Sequence, residues 1–71
     1  MHDEFYKQIG KNIKKARLAK HLTQEQLAVQ IGKGLNFVGK IEVGFSHPSL
    51  NTLIDISKTL KIEIKDLFEG L

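Results

Sequence analysis

The residue types that carry out most enzyme chemistry are scarce and scattered in this chain of 71 residues. It contains no cysteine, and its three histidines, His2, His21 and His47, share no metal-ligand or catalytic-triad spacing. No paired carboxylates fall in a segment that could form a pocket in so short a chain. The composition excludes disulfides and argues against catalysis. We therefore expect no cofactor, no metal ion and no small-molecule ligand.

Charge divides the chain into a basic and an acidic part. Residues 1–40 carry eight basic and three acidic side chains, and residues 41–71 carry three basic and five acidic ones, within a net charge of +3. A basic part of this kind suits a polyanionic partner, and the acidic part suits a different task. A set of ordinary solvated helix faces explains the same charges equally well.

Length and hydropathy predict one small domain over residues 1–71. The hydrophobic content of 41% is enough for a single core. No apolar run approaches the roughly 18 residues that a membrane span needs. The acidic start, Met1-His2-Asp3-Glu4, has no apolar run behind it and so does not resemble a secretory signal. These features predict a cytoplasmic protein without a membrane partner.

The spacing of apolar residues predicts an all-α fold of five short helices. The first is expected over residues 3–20, with Phe5 among its apolar positions. The second follows a capping box at Thr23–Gln26 and ends at Gly32. The third is expected over residues 35–43. The fourth is expected from its cap, Ser49, to Leu60, with Leu50 on its apolar face, and the fifth over residues 65–69.

The second and third predicted helices are joined by the turn Gly32-Lys33-Gly34. Ala28 is small enough to let the two helices cross closely, and Val38 is placed to pack back against the second helix. This spacing is typical of a helix–turn–helix, in which one helix lies in the major groove of DNA. Glycine turns join helices in many other proteins, so the spacing alone does not decide the function.

The wider order of motifs resembles the phage-repressor (Cro/C1, or XRE) family of helix–turn–helix domains. The resemblance covers residues 9–69 and implies a five-helix, lambda-repressor-like bundle that binds operator DNA, usually as a dimer. Small stand-alone controllers of restriction–modification systems are similar in size. The residues that carry the resemblance are Leu22-Thr23-Gln24-Glu25-Gln26-Leu27-Ala28, Ile31-Gly32, Val38, Ile41-Glu42, Gly44, Pro48-Ser49-Leu50, Thr52-Leu53 and Leu67-Phe68.

The resemblance places Leu35, Asn36, Gly39 and Lys40 on the groove side of the recognition helix. Asparagine can bond an adenine edge, lysine can donate to guanine, and leucine can contact a thymine methyl group. Asn36 also suits an ordinary early helix turn, and Lys40 also suits a phosphate. Because Gly39 has no side chain to read a base, we expect specificity to depend partly on DNA shape and on paired half-sites.

Three further residues are predicted to contact DNA phosphates: Gln24, Lys33 and Ser46. Gln24 lies in the first turn of the second helix, where free backbone N–H groups favour an anion, and the family places a phosphate-contacting glutamine there. The alternative is a solvated polar residue at a helix start. Phe45 stands where the family often has a basic residue, and its sequence context fits local packing, a partner subunit or DNA.

The resemblance also pairs Arg17 with Glu42 in a structural salt bridge. Arg17 is the only arginine beside ten lysines, and only a planar guanidinium can hold a carboxylate through two parallel bonds. The alternative is two independent surface charges.

Apolar residues near the carboxyl end, Ile62, Ile64, Phe68 and Leu71, predict a homodimer interface, unless they close the monomer core. Two recognition helices would then lie about 34 Å apart on DNA. The sequence therefore predicts a transcriptional regulator that binds a palindromic operator in double-stranded DNA as a homodimer. The alternative is a protein-interaction module, such as an antitoxin or adaptor, that uses the same fold.

Overall fold

The computed structural model describes residues 2–71. Over this range the protein is all-helical, which confirms the predicted class. It consists of four α-helices and one terminal 3-10 helix: α1 (Asp3–Ala19), α2 (Gln24–Gln30), α3 (Phe37–Glu42), α4 (Leu50–Leu60) and η1 (Ile64–Phe68). No helix within residues 2–71 has the length and hydropathy that crossing a bilayer requires.

The prediction of five α-helices is wrong in its last member. Residues Ile64–Phe68 form a 3-10 helix, in which Asp66 N–H donates to the Glu63 carbonyl at 2.9 Å. The Asp66 carboxylate in turn accepts from Glu63 N–H at 3.0 Å. A five-residue segment is too short to complete a stable α-helical ladder, so the tighter hydrogen-bond pattern satisfies its backbone.

The predicted start of the third helix is also wrong. Leu35 and Asn36 lie in a turn, closed by the hydrogen bond from Phe37 N–H to the Gly34 carbonyl at 3.0 Å. The first hydrogen bond of the α3 helix runs from Lys40 N–H to the Asn36 carbonyl, at 3.3 Å. The connection between α2 and α3 therefore spans residues 31–36. It is longer than the predicted three-residue glycine turn. Asn36 makes no side-chain cap bond.

The core lies where the four helices meet, and α1 crosses α3 at very short range. A Cβ atom on Gly10 would lie 2.5 Å from the Ile41 carbonyl oxygen and 2.6 Å from that of Glu42. Glycine, which costs helix stability, is therefore required at this crossing. The fully or nearly buried apolar residues are Ile9, Ile13, Leu27, Ala28, Val38, Ile41, Leu53, Ile56, Leu60 and Leu67.

Two residues predicted on apolar faces are solvent-exposed. Phe5 is 42% exposed, and Leu50, in the first turn of α4, is 62% exposed. Both stand in the first turn of their helix, where the rest of the protein covers the side chain only in part. The carboxyl end is instead held by Asn12, whose side-chain amide donates to the Leu67 carbonyl at 2.9 Å and to the Glu69 carbonyl at 2.8 Å.

All four α-helices end on a residue in the left-handed conformation. The capping box at Thr23–Gln26 and the glycine stops at Gly32 and Gly44 are confirmed. The other two stops are not glycines and carry no sequence signal: His21 has φ 58° and Lys61 has φ 56°. At each stop the following N–H donates back across the last turn, as Ile62 does to Ser57 at 3.0 Å.

We expect Lys61→Gly to stabilise the protein. A non-glycine residue in the left-handed region costs about 1 kcal/mol, which glycine removes at a smaller cost in unfolded-chain entropy. The unfolding free energy should rise by about 0.5 kcal/mol, or a few degrees in melting temperature. Lys58→Gly, in the last helical turn of α4, is the control and should lower stability by about 1 kcal/mol. Equal losses in both variants would contradict the left-handed stop.

Candidate nucleic-acid interface

A buried ion pair joins the first helix to the end of the third. Arg17 Nε donates to Glu42 Oε2 at 2.6 Å, and a second guanidinium nitrogen donates to Glu42 Oε1 at 3.0 Å. The remaining terminal nitrogen donates to the Leu22 carbonyl at 2.8 Å. The two side chains are only 7% and 2% exposed. The guanidinium therefore fixes α1, the turn before α2, and α3 in one arrangement.

The contact with Glu42 affects the pKa of Arg17. The hydrogen bond to Glu42 raises the pKa of the Arg17 guanidinium above its ordinary value, although burial alone would lower it. A raised folded-state pKa means that the stabilising contribution is complete at any pH below the ordinary arginine pKa. It is lost only as the pH rises through the folded-state pKa. Arg17 therefore adds no pH dependence near neutrality.

Gln24 connects α2 to the same carboxylate. Its amide nitrogen donates to Glu42 Oε1 at 2.9 Å. The Gln24 amide also packs over Gly39, where a Cβ atom would lie 3.1 Å from Gln24 Oε1. Glu42 thus accepts hydrogen bonds from α1 and from α2, and part of the hydrogen-bonding capacity of Gln24 is used inside the protein.

The exposed edge of α3 and the turn before it present a mixed apolar and basic surface. Leu35 is 58% exposed, and Asn36 and Lys40 are also exposed. Lys33 lies over the ring of Phe37, with its ammonium 5.3 Å from the ring centroid. We call this surface, formed by Leu35, Asn36, Gly39, Lys40 and Val43, the α3 edge. Glu42, at the end of α3, connects the backbone beneath this surface to Arg17 and Gln24.

The loop after α3 is anchored on the first helix. Ser46 is half-buried, and its N–H donates to the Lys40 carbonyl at 3.1 Å. The ring of His47 stacks on Tyr6, with centroids 3.8 Å apart and an interplanar angle of 6°.

Phe45 is 78% exposed, the most exposed of the large apolar side chains described. The local-packing interpretation of Phe45 is therefore not supported, and its ring is free to meet another molecule.

The structure divides the predicted site residues between two places. The base-reading and phosphate-contacting candidates lie on α2, in the turn after it at Lys33, on the α3 edge and in the loop at Ser46. The dimer candidates lie at the carboxyl end, where Ile62, Ile64 and Phe68 are half-buried against the protein's own core. Only Leu71, at 55% exposure, projects substantially into solvent.

Sequence reasoning missed several residues that shape this region. Val43, 68% exposed, follows α3 at helical spacing from Asn36 and Lys40, which could have placed it on the α3 edge. Three further features depend on contacts between distant parts of the chain and therefore leave no local sequence pattern. They are the Tyr6–His47 stack, the close approach of α1 to α3 at Gly10, and the hydrogen bonds from Asn12 to the carboxyl end. Within residues 2–71 no group of histidine or acidic side chains could hold a metal ion.

We expect Arg17→Lys to destabilise the protein strongly. A lysine ammonium cannot hold both Glu42 oxygens and the Leu22 carbonyl, so a buried carboxylate loses part of its compensation. The unfolding free energy should fall by about 3 kcal/mol, measured by denaturant titration. Lys14→Arg, at an exposed position on the same helix, should change it by less than about 0.5 kcal/mol. Equal stabilities of the two variants would refute a structural role for the guanidinium.

Comparison with known proteins places this architecture in a family. A family model described as Helix-turn-helix matches residues 13–67. The transcriptional regulator SlrR of Bacillus subtilis is 37% identical over 63 residues, covering 87% of this chain and 41% of SlrR. The transcriptional activator BcrR of Enterococcus faecalis is 33% identical over 63 residues, covering 89% of this chain and 31% of BcrR. The chain thus spans well under half the length of these two curated relatives.

A solved structure matches along nearly its whole length. The restriction-modification controller protein C.AhdI from Aeromonas hydrophila superposes with a TM-score of 0.89 at 33% identity, covering 94% of this chain and 97% of C.AhdI. A transcriptional regulator from Vibrio cholerae superposes with a TM-score of 0.86 at 28% identity, covering 96% of this chain and 38% of the regulator. This chain therefore belongs to the Cro/C1-type (XRE) helix–turn–helix family, whose members are DNA-binding transcriptional regulators rather than enzymes.

Proposed function

We propose that this protein is a sequence-specific regulator that binds double-stranded DNA with the α3 edge in the major groove. The observation that carries the proposal is the anchoring of an exposed α3 edge by a buried network. Arg17, Glu42 and Gln24 fix α3 from behind, while Asn36 and Lys40 remain exposed in front. Side chains on a backbone that is already fixed lose less conformational entropy when they bind.

Three exposed side chains on the α3 edge have distinct parts in this proposal. Asn36 bonds an adenine edge, Lys40 donates to guanine or to a phosphate, and Leu35 contacts a thymine methyl group. Lys33 and Ser46 contact the phosphate backbone on either side of α3. Gln24 keeps a phosphate contact only through its second amide hydrogen, because the first is donated to Glu42.

A second copy of the chain completes the proposed reader. The helix α3 spans only Phe37–Glu42, which limits the number of bases that one copy can contact. A two-fold dimer formed through the carboxyl-terminal region, with Leu71 at its exposed edge, would place two α3 helices about one helical turn of DNA apart. The operator is then a palindrome. The match to C.AhdI over 97% of that chain supports a controller of restriction–modification genes as the narrower role.

Selection of bound sequences from random double-stranded DNA tests the proposal. We expect a palindromic consensus, with half-site centres about 10 base pairs apart. The affinity for that sequence should fall steeply between 50 and 200 mM salt, since bound phosphates release counterions. Recovery of no consensus, together with salt-insensitive binding to a protein partner, would support a protein-interaction module instead. The exposed ring of Phe45 would then be the first candidate contact.

Lys40→Ala tests the position of the α3 edge on DNA. We expect a loss of operator affinity of about tenfold, with a smaller dependence on salt if the contact is to a phosphate. Lys58→Ala removes the same charge from an exposed position in the last turn of α4 and should change the affinity by less than twofold. Filter binding or fluorescence anisotropy measures both variants. An equal loss in both would show that only net charge matters.

Sedimentation equilibrium tests the dimer. We expect the protein to associate as a dimer at micromolar concentration, and Leu71→Asp to weaken that association at least tenfold because it places a charge in an apolar contact. Lys65→Asp is the control, since Lys65 is exposed at the same end of the molecule. A wild-type protein that stays monomeric with and without operator DNA would contradict the proposed palindrome reader.

A further inference from the structure

The α3 edge contains one position without a side chain, Gly39, and another helix fills the space beside it. Gly39 is half-buried between the exposed residues Asn36 and Lys40. The three heavy atoms nearest to a Cβ atom there all belong to the carboxamide of Gln24: Oε1 at 3.1 Å, Cδ at 3.6 Å and Nε2 at 3.7 Å. The group next to the backbone of Gly39 is thus the Gln24 side chain, which reaches it from the first turn of α2.

The orientation of this carboxamide follows from hydrogen-bond chemistry. Both oxygens of the Glu42 side chain accept hydrogen bonds from the Arg17 guanidinium, so in this ion pair the carboxylate offers Gln24 only acceptors. The Gln24 amide therefore has to turn its nitrogen to Glu42, at 2.9 Å. The opposite orientation would set two oxygens against each other. Gln24 Oε1 consequently lies on the side of Gly39.

The atom of the half-buried Gln24 side chain that faces Gly39 is therefore an acceptor. No donor within residues 2–71 is bonded to Gln24 Oε1. A phosphate oxygen is also an acceptor, so it cannot bond this atom. In the major groove the available donors are exocyclic amino groups, N6 of adenine and N4 of cytosine.

We propose that Gln24 Oε1 accepts a hydrogen bond from an exocyclic amino group of adenine or cytosine in the major groove. Gly39 is a positioning residue for this contact, because its missing Cβ leaves room for the carboxamide. The inference rests on the proposed function, that the α3 edge enters the groove. Gln24 would then determine specificity, because it recognises the base that Gly39, without a side chain, cannot contact.

Amino-free base analogues test the contact on the selected operator. Adenines are replaced one at a time by purine, and cytosines by 2-pyrimidinone, which remove only the amino group. In the wild-type protein we expect one position per half-site at which this replacement weakens binding about three- to tenfold. In Gln24→Ala the same replacement should weaken binding less than twofold. Gln30→Ala, an exposed glutamine on the same helix, should keep the full wild-type sensitivity.

Gly39→Ala gives a second measurement that does not remove the Gln24–Glu42 hydrogen bond outright. Alanine favours the helix by about 1 kcal/mol relative to glycine, so loss of folding is not expected. Its Cβ displaces Gln24 Oε1, and sensitivity to the amino group should fall below twofold at the same operator position. A purely structural role for Gly39 would leave that sensitivity unchanged.

The outcomes separate this inference from the proposed function. An operator whose affinity responds to no amino-group removal overturns the inference while the regulator role stands. So does a response that persists in both Gln24→Ala and Gly39→Ala. A response that disappears in Asn36→Ala but not in Gln24→Ala assigns the base to Asn36 and also overturns it. Failure of selection to recover any operator refutes the proposed function itself.

Discussion

The contact between Arg17 and Glu42 is the interaction on which the rest of the structure depends. It is buried and doubly hydrogen-bonded, and the Leu22 carbonyl and the Gln24 amide complete it. Removing one member would leave an uncompensated charge in a low-dielectric interior, which costs several kcal/mol. Because the four groups come from α1, the turn after it, α2 and α3, this one cluster sets the mutual orientation of the helix–turn–helix. The backbone of α3 is held by these hydrogen bonds.

Close backbone packing brings these groups within reach. The Gly10 crossing lets α1 approach the carbonyls of Ile41 and Glu42 directly. Arg17, two helical turns further along α1, then lies within hydrogen-bonding distance of Glu42. Every helix then stops on a left-handed residue, which reverses the chain within a short distance. A domain of 71 residues buries a smaller fraction of its surface than a larger domain does. Short connections leave more of the chain in helices that pack against the core.

Local patterns predicted much of this architecture. The capping box at Thr23–Gln26, the stops at Gly32 and Gly44 and the cap at Ser49 each involve residues within one turn, and all are present. Prediction was poorer where a tertiary contact or a backbone hydrogen bond decides the outcome. The helix α3 begins at Phe37 because a turn includes Leu35 and Asn36, and the last segment is a 3-10 helix. The placement of Gln24 against Glu42 and Gly39 joins residues far apart in sequence, which periodicity cannot reveal.

The proposed DNA contact of α3 depends on the buried cluster, which does more than keep the protein folded. The most direct test is the operator affinity of Glu42→Gln, measured at a temperature where circular dichroism shows the variant to be fully folded. We predict a loss of at least tenfold, because α3 and Gln24 lose the carboxylate that orients them. The control is Glu63→Gln, at an exposed ion pair with Lys65, which should bind as the wild type does. A folded Glu42→Gln variant with unchanged affinity would contradict the claim.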